Sequence, residues 1–516
     1  MKKILLACSV LYVFSIVSCQ KNDNESSSPA SQDVVLKVKQ NPSTEPVGTA
    51  LSQTVIDKQI KNTLESTHGF EWTSMNLTYL WSAAQYGNHA MAVGYKTIDI
   101  SDIDPIIHLV KVREGKFKAV HDAIINLVVS EVNKTAEPKI KAADIIIEDD
   151  PVLPIITFNL TDRSAITKLY NLENVRYVEP LDYKPVDNEL QVESSSGCSG
   201  SSYALNAADY SSTAPGCLIP WNYNNLNIPA AWNVVQGAGI KIGIIDAGIS
   251  SSQPLLGSQF TNGYSAGTRT VTTDYTIGTS AYTTCAHGTS MSGLATGPRN
   301  DQNATTGVAY QASLHFIHAC DDVVLDASAE KTGVKNACIK MGDMTDIKII
   351  SMSVGSPFGS SVLKDGVNYA FNKGKMIFAA AGTSFSWTTW WGVIYPAAYS
   401  SCYAITGVNE SGSTCVDCHD GSAVKFTIPM ERNGNTSRNS LSLSLNNTTP
   451  TYIGGSSAAT ATMAGIAGLV WSVKPTLTRD QVFTILKSTA QYTTSTSNHG
   501  YGNPNASAAV ALAQTY

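Results

Sequence analysis

"IKIGIIDAGIS", residues 240–250, decides the fold. Its apolar residues fall at odd and even positions alike, so it cannot split into a wet face and a dry one; it reads as a strand buried on both sides and ending at Asp246. Runs of the same kind recur at "SLHFIHA" (313–319), "IKIISMSVG" (347–355), "MIFAAAG" (376–382) and "CYAITGV" (402–408). Helical candidates lie between and after them: "AEKTGVKNACIKMG" (329–342), "SVLKDGVNYAFNKG" (361–374), "SAATATMAGIAGLVWSV" (457–473) and "TRDQVFTILKSTA" (478–490). Strands apolar on both faces that alternate with helices predict an α/β domain over 218–516, with a parallel sheet covered on two sides. In such sheets chemistry collects at the carboxyl ends of the strands.

Upstream the pattern differs. "IIHLVKV" (106–112), "ADIIIED" (143–149), "LPIITFNL" (153–160) and "VRYVEPLDY" (175–183) read as strands, and "FKAVHDAIINLVVSEV" (117–132) and "DRSAITKLYNL" (162–172) as helices. Two helices against an antiparallel sheet give an α+β, ferredoxin-like layout within a domain spanning 51–186. Residues 50–100 carry no pattern that assigns them. A polar, Ser-rich linker and the start of the mature region follow at 187–217. Residues 20–50, rich in Ser, Asn, Gln, Pro and Glu, read as a solvated tether.

The chain begins Met1-Lys2-Lys3, continues apolar to Val17 and reaches Ser18-Cys19. A basic end, a short apolar core and a small residue make an export signal over 1–19, too short for a membrane span. Ile16-Val17-Ser18-Cys19 resembles a lipobox, which implies lipidation of Cys19 and an outer-membrane anchor, the alternative being a plain cleaved signal peptide; Gln20-Lys21-Asn22-Asp23-Asn24-Glu25 resembles the acidic tags that send lipoproteins to the cell surface. The 516 residues are 43% hydrophobic and 15% charged, so a large core is available. A net charge of −6 gives no basic footprint for nucleic acid. Eight cysteines lie beyond the signal, all after residue 197: Cys198, Cys217, Cys285, Cys320, Cys338, Cys402, Cys415 and Cys418. In an exported chain they predict up to four disulfides in the C-terminal domain, in pairings the sequence leaves open.

Three residues carry chemistry together. Asp246 ends its strand, His287 opens the small-residue helix of "HGTSMSGLATG", and Ser457 follows a Gly-Gly corner at the start of another helix, where its amide can donate to an oxyanion. A serine hydroxyl becomes a nucleophile when an imidazole takes its proton, and the imidazole needs a carboxylate to hold its tautomer. With "GVAYQASLHFI", "IISMSVGS", "IFAAAG" and "GGSSAATATMAGIAGLV", the order Asp, His, Ser resembles the subtilases over roughly residues 220–512. The resemblance implies a subtilisin-like three-layer fold and a serine endopeptidase that forms an acyl-enzyme. It implies that Ser353, Val354 and Gly355 form an edge strand pairing with substrate, that Ala380, Ala381 and Gly382 wall the specificity pocket, and that the 51–186 region is a prodomain acting as chaperone and inhibitor. A protein or peptide substrate and a monomer follow; no cofactor or metal is expected, and the sequence locates no calcium site.

Thr383 departs from that pattern, standing where the family has the asparagine that donates to the oxyanion. Loss of that donor costs about 10² to 10³ in kcat in a relative. The expected oxyanion hole is therefore the Ser457 amide with Ser456 and Thr383, and the expected enzyme is slow or narrow; the competing expectation is a peptide-binding protein on the same fold. Ala461, where the family has proline, is a milder change. "CVDCH" (415–419) matches haem attachment and would supply three ligands toward zinc, but as a surface loop among other cysteines it reads as disulfide. Trp387, Trp390 and Trp391 follow the pocket wall, either covering an apolar surface or gripping substrate side chains.

Overall fold

The computed structural model describes residues 36–188, 190, 198, 203–265, 267–383 and 392–516. The signal, Cys19, the first part of the tether, most of the Ser-rich linker and the three tryptophans at 387, 390 and 391 lie outside them.

The described residues of the C-terminal half build a nine-stranded sheet. From one edge its strands are Thr451–Ile453, Asn435–Ser442, Val424–Arg432, Tyr403–Asn409, Met376–Ala380, Ile347–Met352, Lys241–Asp246, Ser313–His318 and Val271–Tyr275. Pairing is parallel from Val424–Arg432 to Val271–Tyr275 and antiparallel for the two strands beyond. The expected α/β architecture is thus present. Strand 241–246 lies inside the sheet, and its alternate residues serve two cores: Ile242 and Ile244 pack on one face with the Gly455–Val473 helix, Ile245 and Ala247 on the other with the Ser328–Asp343 and Ser361–Asn372 helices. Gly455–Val473 is long and apolar enough to cross a membrane, yet it is buried along most of its length, as befits the core helix of the sheet.

Upstream, four antiparallel strands run in the order Ile146–Asp149, Ile155–Asn159, Ala90–Tyr95, Val175–Pro180, accompanied by helices Gly115–Val132 and Arg163–Tyr170. Two readings need correction. "IIHLVKV" is not a strand: Asp104–Leu109 is a 3₁₀ helix with Pro105 in its first turn, which buries Ile107 and leaves Ile106 and Leu109 exposed. The missing strand is Ala90–Tyr95, inside the stretch left unassigned; its small residues hid a segment that is buried throughout. "ADIIIED" begins as a helical turn, Ala142–Ile145, before its strand.

This layer packs on two helices of the large sheet through charge and caps. Glu179 accepts hydrogen bonds from the Ser361 amide (2.9 Å) and the Ser360 hydroxyl (2.8 Å), and Asp182 from the Ser328 hydroxyl (2.9 Å). Each carboxylate faces the positive end of a helix. Arg176 forks onto Asp365 at 2.7 and 2.8 Å. Lys335, fully buried, binds Glu148 at 2.8 Å and also Asp150, which is 2% exposed. Truncating one partner of a buried pair leaves the other charge uncompensated, at about 3–5 kcal/mol. Lys335→Ala should therefore lower the denaturation midpoint sharply, and an unchanged midpoint would mean that Asp150 is solvated.

Of the up to four disulfides expected, two are present among the described residues, one of them in CVDCH. Among the described residues Cys198–Cys285 and Cys415–Cys418 are paired, while Cys217, Cys320, Cys338 and Cys402 are free and buried. These four serve as small apolar residues in the core, where burial pushes the Cys338 thiol up to about 12.

Candidate active site

Asp246 and His287 meet at the carboxyl end of strand Lys241–Asp246. Asp246 Oδ1 accepts from His287 Nδ1 at 2.8 Å and from the Ala247 amide at 2.8 Å. A carboxylate can only accept, so Nδ1 carries the proton and Nε2 keeps the lone pair of a base. Both side chains are buried, at 0% and 3% exposure, which shields the pair from water. His287 is the first residue of His287–Thr296, a helix buried along its whole length against the Ser457 helix. Cys198, from the linker, is bonded to Cys285 and accepts the Ala286 amide at 3.1 Å, so linker chain lies immediately beside this histidine.

Ser457 sits in the first turn of Gly455–Val473, among the amides that have no partner within their own helix. Its hydroxyl donates to the Ser353 carbonyl at 3.4 Å, and the Ser353 hydroxyl returns a bond to the Ser457 carbonyl at 3.0 Å. The structure thus joins Asp246 to His287 and Ser353 to Ser457, without a hydrogen bond between Ser457 and the imidazole. Such bonds are often long in free enzymes and tighten around substrate.

The wall beside the serine is drawn together more tightly. The Ser456 amide donates to Thr383 Oγ1 at 2.8 Å, the two hydroxyls of Thr383 and Ser456 are 2.8 Å apart, and the Gly382 amide donates to Ser456 Oγ at 3.1 Å. Gly455 makes this possible: at φ +72° it occupies the left-handed region, and a Cβ there would lie 2.6 Å from Thr383 Oγ1. Each hydroxyl accepts one amide proton and has one proton to give. One proton joins the pair and the other is uncommitted, whichever residue carries it. Ala380 ends the strand Met376–Ala380, and the Ala381 backbone continues it, its amide on Ile405 and its carbonyl on Ile394.

At the edge expected over Ser353–Val354–Gly355, the Gly355 backbone is already paired. The Gly355 amide donates to Val323 O and its carbonyl accepts from Leu325, both at 2.9 Å, while Ser356 pairs on both groups with Tyr395. Val354 is buried. Segment 323–325 therefore pairs with the chain at Gly355 as a parallel bridge. Behind it, Glu330 accepts from the amides of Asp322, Asp326 and Ala327. Burial pushes the Glu330 carboxyl from an ordinary 4.5 up to about 7. The folded chain holds this proton where the unfolded chain has lost it, so the contribution is complete below the ordinary value and disappears as pH rises through about 7. Melting should fall between about pH 5 and about pH 8, and Glu330→Gln should flatten that slope; an equal slope in the variant would assign it elsewhere.

The fold is that of a parallel-sheet peptidase. The chain belongs to the subtilase family, whose sequence pattern matches residues 237–503. It is 30% identical to thermitase of Thermoactinomyces vulgaris over 247 residues, 48% of this chain and 80% of that protein. It is 31% identical to subtilisin E of Bacillus subtilis over 296 residues, 56% of this chain and 71% of that protein. Subtilisin of Bacillus pumilus is 30% identical over the same length and is covered to 98%. Family membership supports a peptidase activity.

Proposed function

We propose that this chain is a serine endopeptidase in which Asp246 orients His287, His287 acts as general base and then acid, and Ser457 forms the acyl-enzyme. The observation that carries the reading is the buried Asp246–His287 pair at the sheet's carboxyl edge, with its proton on Nδ1. Attack by Ser457 Oγ on a peptide carbonyl passes its proton to Nε2. The charge that develops on the carbonyl oxygen meets the Ser457 amide and the uncommitted proton of the Thr383–Ser456 pair. The pair supports a working but altered oxyanion site, and the pairing of Gly355 with Val323 and Leu325 supports narrow specificity, since it leaves less free backbone along the expected substrate edge. The test is labelling of the full chain by a fluorophosphonate, which needs an activated hydroxyl. Adduct at Ser457 is expected; no adduct would favour a peptide-binding protein, a reading to which the Ser457–Ser353 bond lends support.

The N-terminal layer fits the role of a prodomain, because its carboxylates cap two helices that cover one face of the catalytic sheet. Export with a lipid on Cys19 and cleavage in the linker complete the proposal. Cys198 adds a condition. A cut before it frees the catalytic part, whereas a cut after it leaves the anchored part bound through Cys285.

A further inference from the structure

The CVDCH turn exposes Val416 and Asp417 at the surface but buries its two cysteines and His419. Cys418 and His419 are 3% and 1% exposed and stand directly behind the wall that carries Thr383. Cys418 forms an antiparallel bridge with Thr383. The His419 amide donates to the Gly382 carbonyl at 2.9 Å, and Nδ1 donates to the Gly392 carbonyl at 2.7 Å, since a carbonyl can only accept. One residue thus ties Gly382 to Gly392. The ring lies so close to Gly382 that a Cβ there would approach it to 2.8 Å, at a φ of +127° that already favours glycine. The turn is closed from behind: Cys415 is bonded to Cys418, the Cys415 amide donates to Gly407, and the Thr406 hydroxyl donates to the His419 carbonyl at 2.5 Å. Burial lowers the affinity of the imidazole for a second proton, which keeps it in the neutral form that this geometry uses.

We propose that His419, braced by the Cys415–Cys418 turn, is a positioning residue that sets the Gly382–Thr383 wall and so aims the Thr383–Ser456 hydroxyl pair at the developing oxyanion. It touches no reacting atom; it acts through the Gly382 amide that binds Ser456 Oγ and through the Thr383 backbone. The inference rests on the serine-peptidase reading above for its catalytic consequence, while its structural content stands apart from that reading.

The experiment is a mutant cycle on the full chain with a small amino-acid ester, whose binding does not span the cleft. A displacement of the donors by about an ångström costs up to about 10²-fold, so His419→Ala should lower kcat by about 10- to 100-fold with KM nearly unchanged. His419→Asn, whose side-chain amide can reach the Gly392 carbonyl, should recover most of that loss. In the Thr383→Ala/Ser456→Ala background His419→Ala should cost less than about threefold, because the groups it positions are gone. Equal losses in both backgrounds, or a change confined to KM, would overturn the proposal. Hydrogen exchange gives a readout that needs no turnover: the amides of Gly382 and residue 419, which donate to Ser456 Oγ and the Gly382 carbonyl, should exchange faster in His419→Ala and at the parent rate in His419→Asn. Unchanged exchange in His419→Ala would equally overturn the clasp. A parent chain that neither labels at Ser457 nor cleaves ester would instead sink the peptidase reading and leave the exchange result to judge the clasp.

Discussion

Ser457→Ala is expected to lower kcat by about 10⁶-fold and to abolish fluorophosphonate labelling, the largest effect any single change should have. In subtilisin, a relative of this chain, loss of the nucleophile or its histidine has a cost of that order, and removing further triad members adds little. The reason applies here through geometry. Asp246 holds His287 in one tautomer at 2.8 Å, and in the proposed mechanism that orientation leaves Nε2 to take the proton of Ser457. With the hydroxyl gone the pair has nothing to activate. His287→Ala and the double variant should therefore fall to the same residual rate, and any cut in the linker made by the chain itself should stop. The measurement is single-turnover ester cleavage together with the apparent mass of the purified chain. Processing that continued in pure Ser457→Ala protein would remove Ser457 from the mechanism.

Removing both hydroxyls beside the nucleophile, Thr383→Ala with Ser456→Ala, should lower kcat by about 10² to 10³ while KM changes little, because the lost donor acts in the transition state. The single variants should be much milder. In Thr383→Ala the Ser456 hydroxyl still accepts the Gly382 amide and has its own proton free; in Ser456→Ala the Thr383 hydroxyl still accepts the amide of residue 456 and has its proton free. Either survivor supplies the one proton that the pair supplies in the parent chain, so the effects should be far from additive. Steady-state kinetics on the four chains decide it. A full loss in one single variant would assign the donor to that residue alone. Near-normal turnover in the double variant would mean that the oxyanion is held by the Ser457 amide without either hydroxyl.

Much of this was legible in the residues themselves. Strands such as Lys241–Asp246 and Met376–Ala380 announce a parallel sheet because burial on both faces leaves no polar alternate positions. Asp246, His287 and Ser457 were readable because each stands where a strand or helix ends, and such ends are marked by Gly corners and runs of small residues. The upstream layer was read less well. Pro105 turned an apolar run into a 3₁₀ helix, and Ala90–Tyr95 hid a central strand behind small residues. Only the neighbour across the sheet supplies the bulk that such a strand lacks.

Sequence alone determined the layered α/β architecture, the order of the three chemical residues and the absence of asparagine at Thr383, since all of these depend on local periodicity and residue type. Tertiary structure alone decided how that absence is met. Thr383 shares a proton with Ser456, 73 residues away in the chain, Gly355 is paired with Val323 and Leu325, and CVDCH stands behind the oxyanion wall with its cysteines closed on each other. Four other cysteines that could have formed bridges are separate core residues. Hydrogen bonds of this kind join groups whose distance along the chain carries no information about their distance in space, so they come into being only when the sheet brings its strand ends together.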